Sequence, residues 1–144
     1  MAKWFESKFD NKQKSVARRY VPVRKLGFLS TYTGRIIVAN VVAFVAFFIL
    51  QSFIDPNKAI SWVALMPSVV LTGGAIWTFI TSMFMHAGFA HLFVNMISLM
   101  FIGSFVEKLI GKKRFLKLYF ASGLSAGVLF VGIAAVTGMD LNVY

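Results

Sequence analysis

Cysteine is absent from the 144 residues. That excludes disulfides, zinc–thiolate sites and a cysteine nucleophile, and it leaves the redox compartment open. Acidic residues are scarce, five Asp and Glu against 15 Lys and Arg, and histidine occurs only twice. The two histidines, His86 and His91, are five apart with no carboxylate close by, a poor basis for a metal site. No cofactor is expected either. Proline is limited to three residues, Pro22, Pro56 and Pro67, so each is informative about where helices stop.

Apolar residues are abundant. They make up 58% of the chain, 16 of them Phe, and mean hydropathy is +0.76. A soluble single domain of this length has too little interior for that fraction. Lipid is therefore the expected solvent. The net charge of +10 could point to nucleic acid, but its distribution argues otherwise. Nine basic residues, from Lys3 to Arg35, precede the first long apolar run, and five more (Lys108, Lys112, Lys113, Arg114, Lys117) fall between later runs. Basic blocks alternating with apolar spans are a topology signal, and no nucleic-acid partner is expected.

Three spans follow. Residues 36–54 carry no formal charge over 19 residues, ~28 Å of helix, close to the hydrocarbon thickness. Thr33 is positioned to cap this span and Asp55-Pro56 to close it. Its one polar residue in the first half, Asn40, reads as an interhelical hydrogen bond. Residues 88–107 and 115–137 form the second and third spans. Between the first two lies a long connection, 55–87, broken by Pro56, Pro67 and Gly73-Gly74. Its Trp62 and Trp77 suit the membrane interface. Residues 1–35 form a basic segment. Within it Phe5, Phe9, Val16 and Tyr20 recur near helical period, which fits either an amphipathic helix on an anionic membrane surface or a solvated tail. The fold class is thus an all-α membrane protein with three transmembrane helices and a basic amphipathic N-terminal segment. The N-terminal segment and the loop after the second span hold 14 Lys/Arg, against one, Lys58, in the 55–87 connection. The expected placement is a multi-pass protein of the cell membrane with the N-terminus cytoplasmic and the 55–87 loop and C-terminus outside.

Ionisable and polar side chains within a span are functional candidates by default. His86, His91 and Asn95 form such a cluster near the outer end of the second span. His91 and Asn95, at i and i+4, share a helix face, and both offer side-chain donors. Two fixed donors in a dry site could stabilise a developing oxyanion. The same pair could equally hold helices together by hydrogen bonds. Gly123-Leu124-Ser125-Ala126-Gly127 matches the nucleophile-elbow pattern G-x-S-x-G, but it lies in an apolar helical run where Gly123-x-x-x-Gly127 reads as close packing. Asp140 sits in a short tail and makes a poor triad acid. Glu107 lies at the opposite end of its span from His91, where the helix dipole disfavours it. A structural role at the helix end is expected, with Lys108 and Lys112 offsetting the dipole.

The stretch from Trp77 to Gly127 resembles the rhomboid family of intramembrane serine proteases. The residues that carry the resemblance are His86, His91 and Asn95 in HAGFAHLFVN, then Gly103, then Glu107 and Gly111 as E-x-x-x-G, then Arg114-Phe115-Leu116, Tyr119 and Ser122-Gly123. The resemblance implies half of a six-helix bundle, in which His91 and Asn95 help form an oxyanion hole and His86 supports them. It implies membrane-embedded protein substrates, with a Ser–His dyad performing the cleavage. The family's nucleophile lies in G-x-S-G entering the fourth helix and its base is a His on the sixth. The 144 residues contain neither. The expectation is therefore a partial protease, inactive alone, which a second chain supplying helices four to six would complete. A non-catalytic protein that binds transmembrane clients and an inert gene fragment are the alternatives. Many family members have Trp-Arg in the first loop. Here Trp77 precedes Thr78, so no role of that Arg transfers.

Overall fold

The computed structural model describes residues 27–138. The helix expected within residues 2–20 and the tail residue Asp140 lie outside them. Among the described residues the secondary structure is helical throughout, with no strand.

A 3-10 turn, Phe28–Ser30, leads into α1, Tyr32–Leu50. The cap is Thr31 rather than Thr33: its Oγ1 accepts from the Gly34 N–H at 3.0 Å and donates to the Phe28 carbonyl at 2.8 Å. The helix starts four residues before the uncharged run because the polar turn 32–35 is already helical once Thr31 supplies the missing acceptor. It ends at Leu50, after which the chain turns and Asp55 caps the next helix. Asp55 Oδ1 accepts from the N–H groups of Asn57 and Lys58 at 2.9 and 3.2 Å.

The 55–87 connection is built from short helices: α2, Pro56–Val63, α3, Pro67–Leu71, and α4, Thr78–Thr81, followed by a 3-10 turn at Ser82–Phe84. Both prolines open a helix, where their fixed φ suits the geometry and the absent N–H would have had no partner. Two long-range bonds close the connection on itself. The Trp77 indole Nε1 donates to the Trp62 carbonyl at 2.9 Å, and the Thr81 hydroxyl donates to the Val63 carbonyl at 2.8 Å. Both tryptophans stay exposed, at 47% and 60%, as interfacial anchors do.

The second span, α5, runs Phe89–Ile110 and contains a π-helical turn at Leu99–Gly103. Gly103 sits where α5 meets its neighbours: a Cβ there would lie 3.3 Å from the Phe115 ring and 3.4 Å from the Thr33 methyl. Gly111, at φ 87°, links α5 to the third span, α6, Lys112–Thr137, in a single residue. That backbone region favours glycine because a Cβ would crowd the carbonyl oxygen.

α1, α5 and α6 are each long and apolar enough to cross a membrane. Their outer faces remain exposed, with Phe48, Phe93, Phe101 and Leu129 each more than half accessible. The chain is thus a multi-pass membrane protein, and lipid or further helices take the place that water would have.

Two contacts hold the frame. At one end, Glu107 of α5 reaches the start of α1. Its Oε1 accepts from the Tyr32 N–H at 2.9 Å, and its Oε2 accepts from the Thr33 N–H at 2.8 Å and hydroxyl at 2.7 Å. The carboxylate lies at the unfavourable end of its own helix dipole but at the favourable end of α1's. Along the bundle, Gly123 and Gly127 of α6 admit the connection. Gly123 is covered by Met83, and a Cβ on Gly127 would come within 2.9 Å of Phe79 and 3.2 Å of Leu65. The glycine pair is therefore a packing ridge, and its partner is the 55–87 connection.

Candidate functional site

The site lies where the end of the connection feeds into α5. After the 3-10 turn the backbone runs extended through Met85, and Gly88 opens α5 at φ 176° and ψ 174°. His86 lies in this short extended piece and is buried. Its Nδ1 is 3.2 Å from the Phe84 carbonyl. A carbonyl only accepts, so Nδ1 carries the proton and Nε2 is left as the acceptor in the neutral ring. Burial pushes the His86 imidazole below its ordinary value of 6.5. The Phe84 contact opposes that shift and the nearby His91 adds to it.

His91 is in the first turn of α5, with its ring centroid 5.3 Å from that of His86 at an interplanar angle of 61°. It is exposed, whereas Asn95, one turn on, is half-buried. The two line different cavities. His91 borders one of about 800 Å3 walled by Phe44 and Phe48 of α1. Asn95 borders one of about 400 Å3 together with Asn40, Ser98, Tyr119 and Ser122. His86 lines both cavities. The three sequence candidates are thus adjacent, with His86 at the boundary and the two α5 residues opening on either side of it.

Asn40 departs from expectation. Its side-chain amide donates to the Ile36 carbonyl of its own helix at 2.8 Å, not to another helix. The amide is 1% exposed and lines the Asn95 cavity. Sequence reasoning passed over Ser98 and gave Ser122 a place only in the family resemblance, yet both line the same space. Their spacing held the signal: Ser98 is i+3 from Asn95, and Ser122 is i+3 from Tyr119, so each pair shares a face. Both hydroxyls donate to local carbonyls, Ser98 to Val94 at 2.9 Å and Ser122 to Tyr119 at 3.0 Å. Their oxygens keep acceptor capacity toward the cavity.

Ser125 lies elsewhere. It is exposed in the middle of α6, with no strand or sharp turn to raise it as a nucleophile. Among the described residues no group of three or more His, Cys, Asp or Glu side chains is placed to hold a metal ion. What the site can do chemically is offer donors, a His91 ring N–H and the Asn95 amide, beside the buried His86 imidazole.

Residues 73–140 match the family model described as Rhomboid domain. Among curated proteins, the chain is 39% identical over 83 residues to "Inactive RHOMBOID-like protein 8" of Arabidopsis thaliana, covering 56% of this chain and 22% of that protein. It is 33% identical over 104 residues to "Putative rhomboid protease YdcA" of Bacillus subtilis, covering 62% of this chain and 52% of the relative. It is 34% identical over 59 residues to "Rhomboid protease GluP" of the same bacterium, covering 41% of this chain and 12% of the relative. The chain therefore spans about half the length of one of these relatives and less than a quarter of the others. No solved structure matches it.

Proposed function

The chain belongs to the rhomboid family through residues 73–140, and from that premise we propose that it forms the oxyanion-binding part of an intramembrane serine protease site. In this reading His91 and Asn95 donate to the oxygen of a scissile carbonyl as it gains charge, which requires the two cavities they line to become one once the remaining helices of the bundle are in place. His86 acts as a positioning residue, its ring set against that of His91. The observation that carries the reading is the grouping of His86, His91 and Asn95 in a membrane-embedded chain, with the two rings 5.3 Å apart and the Asn95 amide facing a cavity. Donors held in place in a medium of low dielectric stabilise a developing charge far better than they would in water.

The 144 residues hold two His and no G-x-S-G. The serine and the base come, in this proposal, from residues outside these 144, carried on helices four to six of a six-helix bundle. The substrate is a membrane-embedded protein. Residues 1–35 form a cytoplasmic basic segment and 36–144 the membrane domain. The charge asymmetry supports a cell-membrane orientation with N-terminus inside and the 55–87 connection and C-terminus outside. The second reading, a non-catalytic protein that binds transmembrane clients, draws support from the similarity to a relative whose printed name calls it inactive.

The test is labelling by a fluorophosphonate probe. The chain alone is expected not to label. Co-expressed with a polypeptide bearing G-x-S-G and a helical His, it is expected to support labelling of that polypeptide's serine. Labelling of the chain alone, abolished by Ser125→Ala, would overturn the assignment. Binding of transmembrane clients without any labelling in the co-expressed pair would favour the second reading.

A further inference from the structure

The end of the bundle opposite His91 carries a feature that proteolysis does not use. Of the seven Lys and Arg among the described residues, six gather there: Arg35 of α1, Lys108 of α5, and Lys112, Lys113, Arg114 and Lys117 of α6. All six are exposed. The hydrogen bonds joining Glu107 to Tyr32 and Thr33, and the Lys112 Nζ to the Ser30 carbonyl at 2.6 Å, tie the three helix ends together. Glu107 does not answer the other cations at this end: it is buried, accepts from α1, and interacts electrostatically with Lys112 alone among the six. Among the described residues Lys108, Lys113, Arg114 and Lys117 have no ion-pair or hydrogen-bond partner.

Local structure does not account for these charges. Four of the cations fall within the first six residues of α6, where the helix dipole disfavours positive charge, and no acid stands in that first turn. Their self-repulsion is relieved by a partner of opposite charge. The neighbouring surface says what kind. Directly along the helices from the cluster, Phe105 and Leu109 of α5 and Leu118 of α6 are 65%, 72% and 50% exposed. Cations at the rim with bare apolar side chains beside them match a molecule that has an anionic head and hydrocarbon tails. A nucleic acid or a free phosphate would leave the apolar part uncovered.

We propose that this end of the bundle is a docking surface for anionic phospholipid, with Lys108, Lys113, Arg114 and Lys117 engaging the headgroup phosphate and Phe105, Leu109 and Leu118 lying along the acyl chains. The inference needs only the membrane-spanning architecture and is independent of the proposed proteolytic role. The membrane interface strengthens it, because each Lys or Arg held near an anionic surface raises affinity roughly fivefold.

The full chain, reconstituted in phosphatidylcholine vesicles, tests this with a small amount of spin-labelled lipid. The fraction of motionally restricted label is compared for phosphatidylglycerol and phosphatidylcholine probes. The wild-type chain is expected to prefer the phosphatidylglycerol probe at least about fivefold. K108Q/K113Q/R114Q/K117Q, which spares Lys112 and its bond to Ser30, is expected to lose most of that preference. Lys58→Gln, at the other end of the bundle, is expected to keep it. Equal restriction of both probes by the wild type, or a quadruple variant as selective as the wild type, overturns the proposal. Full displacement of the preference by millimolar inorganic phosphate also overturns it, by showing a general anion site. Should the quadruple variant fail to reconstitute, the single variants K113Q and K117Q decide the matter: a graded drop in selectivity supports the surface and an unchanged value refutes it.

Discussion

Glu107 and Thr33 are 74 positions apart in sequence and bonded twice, with Glu107 Oε2 accepting from both the N–H and the hydroxyl of Thr33 at 2.8 and 2.7 Å. Both side chains are buried, at 5% and 1% exposure. The pair joins the end of one span to the start of another in a buried place.

Glu107→Ala is expected to destabilise the fold by about 3 kcal/mol, since it leaves the Tyr32 and Thr33 donors unpaired in a buried place. Thr33→Val, which removes one of the three bonds, is expected to cost about 1–2 kcal/mol. Equilibrium unfolding in detergent measures both, and equal losses for the two variants would contradict the geometry.

The glycine ridge predicts a contrast within one pentapeptide. Gly127→Val drives a branched side chain into Phe79 and Leu65 and is expected to cost about 1–3 kcal/mol. Ser125→Ala, at an exposed position between the two glycines, is expected to change stability by less than about 0.5 kcal/mol. Thermal unfolding of the two variants side by side is sufficient.

His86 gives stability a pH dependence of definite sign. Its pKa in the folded chain lies below the ordinary 6.5, so the unfolded chain takes up a proton more readily. The contribution is fully present above pH 6.5 and declines as pH falls through the folded value. The midpoint of thermal unfolding is expected to fall between about pH 7 and pH 5, and His86→Gln is expected to flatten that fall. A slope unchanged in the variant would assign the effect to another group.

If Asn95 is an oxyanion donor, its loss affects the transition state more than binding. In a completed protease, Asn95→Ala is expected to lower kcat about 100-fold or more with little change in KM. Asn40→Ala, in the same cavity but with its amide donating to Ile36, is expected to act mainly on stability. Measured kcat and KM for the two variants separate the roles.

The three spans were legible because a span needs about 20 apolar residues and few charges, a property of composition along the chain. Their ends were less so. α1 begins at Tyr32, ahead of its uncharged run, because a helix start depends on which side chain supplies the missing acceptor, and Thr31 does so. The candidate site shows the same division. His91 and Asn95 stood out as polar residues at i and i+4 within an apolar run. That His86 would lie between two cavities, with Asn40, Ser98 and Ser122 walling one of them, depends on α1 and α6 coming to the same place.

By itself the sequence determined that this chain crosses a membrane, roughly where its three spans run and which end of the bundle is basic. These follow from local transfer free energies and charge, which act over a few residues at a time. Tertiary structure alone decided that Glu107 caps α1, that Gly123 and Gly127 receive the 55–87 connection, and that His86 and His91 come to 5.3 Å. Such pairings set segments far apart in the chain against one another. They depend on the shape and polarity that each folded segment presents, and no local property of the chain encodes that.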